Sequence, residues 1–127
     1  MTETGKELNM LLGRFAEAMK CGSFPEDLFM EDAELFCSHM GNGTGREAAR
    51  LLPHPDIQTE AVKQNLENLL LHWNGDKAQM SFHLHQLFIK HAENGEFHYF
   101  QYGGTFVLSC VDTEKGWKIR KLLFDLC

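Results

Sequence analysis

The sequence predicts an α+β fold in which a strongly curved, mainly antiparallel sheet is covered on its concave face by N-terminal helices. Three observations lead there. Helix-start signals are confined to the N-terminal half. The C-terminal half is a succession of β-type runs parted by short glycine-bearing turns. Two of those runs, Ala78 to Lys90 and Phe97 to Val111, far exceed the usual strand of about five or six residues, so a sheet built from them must twist and curl.

Thr4-Gly5-Lys6-Glu7 has the T-x-x-E form of a capping box, and Leu8, Leu11, Leu12, Phe15, Ala16 and Met19 follow at helical spacing. Cys21-Gly22 closes that helix, because glycine tolerates positive φ. Ser23-Phe24-Pro25-Glu26 starts a short second helix through about Met30, with proline in the first turn where its missing N–H is harmless. Asp32 to Ser38 alternates as a first strand, Ala33, Leu35 and Cys37 on one side and Phe36 on the other. Gly41 to Gly45 reads as a loop and lacks both the Gly-Lys-Ser/Thr ending and the G-x-G-x-x-G register of a phosphate cradle. Thr44-Gly45-Arg46-Glu47 is another capping box, opening a helix through Leu52 that Pro53 stops.

Glu60 to Trp73 fits two patterns. Val62, Leu66, Leu69, Leu70 and Trp73 make a helical stripe, whereas Leu69, Leu71 and Trp73 make a strand face. Asn74-Gly75-Asp76 is a hairpin turn with a strand after it, and a hairpin needs a strand before it as well. The segment is therefore read as a strand from about Gln64 to Trp73. The two long runs are joined by the turn His91 to Glu96, and Gly103-Gly104 mark a bend or bulge in mid-strand. A last strand, Trp117 to Cys127, follows the turn Asp112 to Gly116 and completes a four-strand antiparallel meander.

Composition bounds the class. The 127 residues fit one domain, long enough to bury roughly two-thirds of the unfolded surface without metal or disulfides. Ten phenylalanines exceed what a minimal core needs and point to an apolar cavity or interface. A formal charge of −6 argues against nucleic acid, where affinity comes from clustered Lys and Arg. Cys21, Cys37, Cys110 and Cys127 are far apart with no C-x-x-C, as expected of free thiols in a reducing cytosol. No run reaches the ~18 apolar residues of a membrane span, and no leader is evident, so the expected location is cytoplasmic.

Five short matches, in order along nearly the whole chain, carry a family resemblance: Phe29 to Leu35 (FMEDAEL), Gly45-Arg46-Glu47-Ala48, Asn74-Gly75-Asp76-Lys77-Ala78, Gly103-Gly104-Thr105-Phe106 and Gly116-Trp117-Lys118-Ile119. The chain resembles the cone-shaped, cystatin-like fold of the nuclear transport factor 2 superfamily. Within it, the likeness is to the SnoaL-like group related to polyketide cyclases, ketosteroid isomerase and scytalone dehydratase. The resemblance implies a single domain over residues 1–127, a pocket between the concave sheet face and the helices, and often a homodimer through the outer sheet faces. It does not imply an activity, since the superfamily spans isomerases, dehydratases and non-catalytic binding domains.

The hairpin of the two long runs holds the densest cluster of ring and amide groups. His83 and His85 share a face, roughly 7 Å apart at strand rise, and are the candidate catalytic residues, acting as general base or acid. Tyr99, Gln101, Tyr102, Gln86 and Phe82 are the candidate ligand contacts, the tyrosines suiting a pocket for a ring-bearing carbonyl compound and a dimer interface equally well. Three roles stay open for the histidines: imidazoles satisfied within a core or interface, pocket groups, or an H-x-H metal pair of the cupin type. No metal or cofactor is expected, because Glu93 and Glu96 fall in the turn instead of on the strand. Gln86 and Phe82 fall on the face opposite to His83, so all of these residues line one cavity only if a bulge intervenes.

The expected function is binding of a small hydrophobic ligand, with proton transfer on a hydrophobic carbonyl compound as the chemistry if turnover occurs. The alternative is a non-catalytic binding or dimerisation module. Both faces of the hairpin are apolar, which suits a cavity on one side and a second subunit on the other.

Overall fold

The apolar stripe of the first helix seats it on the sheet. In the computed structural model, which describes residues 3–21, 25–38, 41–44, 59–91 and 94–126, α1 spans Glu3–Cys21 and buries Leu8, Leu11, Leu12, Phe15 and Met19. A short 3-10 turn follows at Glu26–Leu28, and then six strands: β1 Phe29–Cys37, β2 Gly41–Thr44, β3 Thr59–Asn74, β4 Lys77–His91, β5 Phe97–Thr113 and β6 Gly116–Leu126. They form one sheet in the order β2-β1-β6-β5-β4-β3. The pairings are antiparallel except for β1 against β6, which run parallel. The predicted meander is β3 to β6, and the sheet is mixed and open. No helix among the described residues is long and apolar enough to cross a membrane.

Several local expectations are corrected. The short helix expected through Met30 is only the 3-10 turn, and β1 begins at Phe29 instead of Asp32. Alternation is broken upstream of Ala33, where the pairing with β6 shifts between Phe29 and Glu34, so a period-two reading could not extend that far. Gly41 to Thr44, expected as a loop, is an edge strand on β1. The helix expected through Leu52, with Arg46 at its start, lies outside the described residues.

Glu60 to Trp73 is a strand, as the hairpin argument requires, and the cause of its helical look is visible. Its pairing with β4 shifts between Glu67 and Leu70, and Asn68 there takes φ 57°. One extra residue flips the strand's parity, so Leu66 before the bulge and Leu71 after it both pack on the core. Apolar residues five apart, with others between, mimic a helix face.

The Gly103-Gly104 pair is also corrected. Pairing of β4 with β5 runs unbroken from Lys77↔Val111 to His91↔Phe97, so no bulge interrupts this hairpin. The glycines serve close packing instead. A Cβ on Gly104 would overlap the Phe124 ring and stand 2.7 Å from the Asp125 carbonyl oxygen. With that space open, Phe124 stacks on Phe106 at 4.4 Å between centroids, and Phe106 stacks on Phe82 at 5.4 Å. Phe15 of α1 meets both Phe82 and Phe106 in edge-to-face geometry. This aromatic ladder across β4, β5 and β6 is the centre of the core, each ring excluding apolar surface from water and adding ring-ring attraction.

Candidate ligand site

Unbroken register fixes which residues can meet. Along β4, Ala78, Met80, Phe82, Leu84, Gln86 and Phe88 are buried toward α1, while Gln79 and His85 are exposed on the other face and His83 is half-buried there. The candidate residues therefore divide into two groups. Gln86 and Phe82 lie on the helix-covered face. His83, His85 and Gln101 lie on the open face, where Leu87 pairs with Gln101 and His85 with Gly103. Tyr102 is paired with Gln86 and Tyr99 with Ile89 along the backbone; the tyrosine side chains lie outside the described residues. The histidine side chains thus lie on the face opposite to those of Gln86 and Phe82, although Gln86 also borders a hollow that His85 lines.

On the helix-covered face, Gln86 is the only polar side chain among the described residues that is buried, at 4% exposure. Its Nε2 donates to Gln64 Oε1 at 2.7 Å, and Gln64 Nε2 donates to the Ala16 carbonyl of α1 at 3.0 Å. This relay joins β4, β3 and the helix inside an otherwise apolar shell that includes Phe88, Leu84 and Phe82. Sequence reasoning named Gln86 but missed Gln64. The signal was present in their Gln64↔Gln86 pairing but could be used only once the β3 register, bulge included, was known.

No carboxylate or imidazole among the described residues is buried on this face. Its buried thiols are poor acids: burial pushes Cys37 up to about 11 and Cys110 up to about 12. Among the described residues, no three His, Cys, Asp or Glu side chains are grouped to hold a metal ion.

Two of the hollows formed by described residues on the open face bear on the site. One, of about 440 Å³, is lined by Lys63, Asn65, His85, Leu87, Gln101 and Gly103, with Gln86 contributing between them. A Cβ on Gly103 would stand 2.9 Å from His85 Nδ1, so the missing side chain lets the imidazole lie against the strand. The other, of about 500 Å³, is bounded by Phe36, Ser38, Thr105, Val107, Leu123 and Asp125. Lys121 Nζ sits 5.2 Å from the Phe36 ring centroid in cation–π geometry. Leu70 is 71% exposed and Leu123 40%, so apolar surface persists on the face that α1 leaves uncovered.

A family model described as a SnoaL-like domain matches residues 6–122. Among curated proteins there is no significant match. Among solved structures, a protein provisionally named a scytalone dehydratase from Novosphingobium aromaticivorans is 15% identical. The match covers 100% of this chain and 89% of that one, with a TM-score of 0.77. A nuclear transport factor 2-like superfamily protein from Salmonella enterica serovar Typhimurium is 14% identical over 95% and 89%, with a TM-score of 0.70. A type 2 hexachlorocyclohexane dehydrochlorinase is 16% identical over 97% and 84%, also at 0.70. At such identities the likeness is one of fold.

Proposed function

The chain belongs to the SnoaL-like family, and on that footing we propose that it binds a small hydrophobic ligand between α1 and the sheet, with Gln86 as the polar contact. The observation that carries this reading is the Gln86–Gln64 relay, a polar device set into an apolar core where hydrophobic residues of similar size would fold as well. Phe82 lies deeper on the same face, its ring held in the aromatic ladder. A homodimer through the open face is part of the proposal, because Phe36, Val107 and Leu123 border an apolar hollow there.

The reading favours binding over turnover. Proton transfer in this concavity needs a base, and the groups buried there among the described residues are amides and protonated thiols. A second reading keeps the histidines. His85 and Gln101 border the 440 Å³ hollow with Lys63 and Asn65, which would place base and donors on the open face instead.

Thermal unfolding with a panel of apolar ring compounds tests the two. A ligand that binds only the folded chain raises its melting temperature. The first reading predicts that Gln86→Leu abolishes or changes that protection while His85→Gln keeps it. Loss of protection in His85→Gln alone supports the second reading.

A further inference from the structure

We infer that the site on the helix-covered face selects a ligand bearing a hydroxyl, an apolar alcohol or phenol, over the matched ketone or ether. The inference rests on the binding reading above and deepens it.

The argument is one of hydrogen-bond direction. The Ala16 carbonyl can only accept, so Gln64 must turn its NH₂ group toward it. That fixes the other end of the Gln64 amide as a carbonyl oxygen, which also can only accept. Gln86 must therefore present its own NH₂ group to Gln64, and does so at 2.7 Å. The main chain of α1 thus sets the polarity of the whole relay, and its far end presents the Gln86 carbonyl oxygen, Oε1, beside the second N–H of the same amide.

Oε1 has no hydrogen-bond partner among the described residues, yet no buried polar side-chain atom among them lacks one. The described residues therefore do not fully enclose the oxygen, on a face whose neighbours on β4, Leu84 and Phe88, are apolar. A ligand entering there removes water from an acceptor. A hydroxyl replaces that water by donating to Oε1. A ketone or an ether offers only lone pairs and leaves Oε1 desolvated and unpaired, a penalty that corresponds to about tenfold or more in affinity. A carbonyl ligand can accept from the second N–H of Gln86 but still leaves Oε1 unpaired, and turning Oε1 away would set oxygen against oxygen at Gln64 or, with both amides reversed, at Ala16.

Calorimetric titration of the full chain with 2-naphthol, 2-methoxynaphthalene and 2-acetonaphthone, and with phenol, anisole and acetophenone as a smaller series, tests this. In at least one series the hydroxyl compound is expected to bind about tenfold or more tighter than both partners. Gln86→Leu is expected to reduce that preference below about twofold, chiefly by weakening the hydroxyl compound. Gln86→Met serves the same comparison should the leucine variant not fold. Equal binding within each series, or tighter binding of the ketone, overturns the hydroxyl selection while leaving the binding site standing. Preference retained in a folded Gln86 variant overturns the role of Oε1. Binding of none of the six overturns the binding reading and this inference with it.

Discussion

His85 and Gln86 are consecutive in β4 and stand on opposite faces of the sheet, the imidazole exposed against Gly103 and the amide buried with a hydrogen bond to Gln64. Strand geometry makes that division absolute, since only a bulge between or beyond them could bring both to one cavity. The β4–β5 pairing contains none. The two side chains therefore answer to different faces, although Gln86 also borders the hollow that His85 lines, and each face can be probed separately.

The amide relay should behave as a unit. Gln86→Leu alone leaves Gln64 Oε1 without its donor and is expected to cost about 1 to 2 kcal/mol. Gln64→Leu with Gln86→Leu removes both polar ends and should recover much of that loss, a coupling of about 0.5 to 1.5 kcal/mol. Urea unfolding of the two singles and the double measures it; additive costs would mean that the relay is not coupled.

On the open face, His83→Gln together with His85→Gln should leave stability within about 0.5 kcal/mol of the parent, since neither imidazole is buried. Leu123→Glu places a charge beside Phe36 and Val107 and should shift the oligomer toward monomer in sedimentation, with little change in the protomer's fold. An unchanged sedimentation coefficient for that variant removes the open face as the dimer surface.

The adjacent glycines should differ sharply. Gly104→Ala sets a methyl against the Phe124 ring and the Asp125 backbone, and is expected to destabilise by about 2 kcal/mol or more. Gly103→Ala meets only the His85 ring, a side chain free to turn outward, and should cost under about 1 kcal/mol. Chemical denaturation of both variants checks the order.

The thiols give a pH dependence of known sign. Cys37 and Cys110 ordinarily titrate at 9.0 and are raised to about 11 and about 12 in the fold, by burial. Above pH 9.0 the unfolded chain therefore loses these protons while the folded chain keeps them. Their contribution is fully present below that pH and is lost progressively as pH rises toward 11 and 12. Denaturation midpoints should fall across this range, and replacing both residues by alanine should flatten the fall.

Much of this architecture was legible from periodicity and punctuation. The stripe from Leu8 to Met19 marked the helix, which begins at Glu3 and so takes Thr4 inside it instead of as its cap, and Asn74-Gly75-Asp76 decided between helix and strand for β3 against propensity. What stayed hidden was register. The bulge at Asn68 moves β3 by one residue and the shift before Glu34 moves β1 by three, and nothing local in the sequence marks them, because Asn68 sits in an ordinary Leu66-Glu67-Asn68-Leu69 stretch. The site inherited the same difficulty. Parity alone separated Gln86 from His83, but which face the helix covers, and that Gln64 stands opposite Gln86, depend on packing between segments distant in the chain.

The central claim, that the ligand enters beneath α1 against Gln86 and not on the histidine face, is tested most directly by following side-chain ¹H–¹⁵N resonances during a titration with 2-naphthol. The account predicts saturable shifts of the Gln64 and Gln86 amide groups, with the His83 and His85 imidazoles unmoved. Saturable movement of the imidazoles with the two amides unmoved would contradict it.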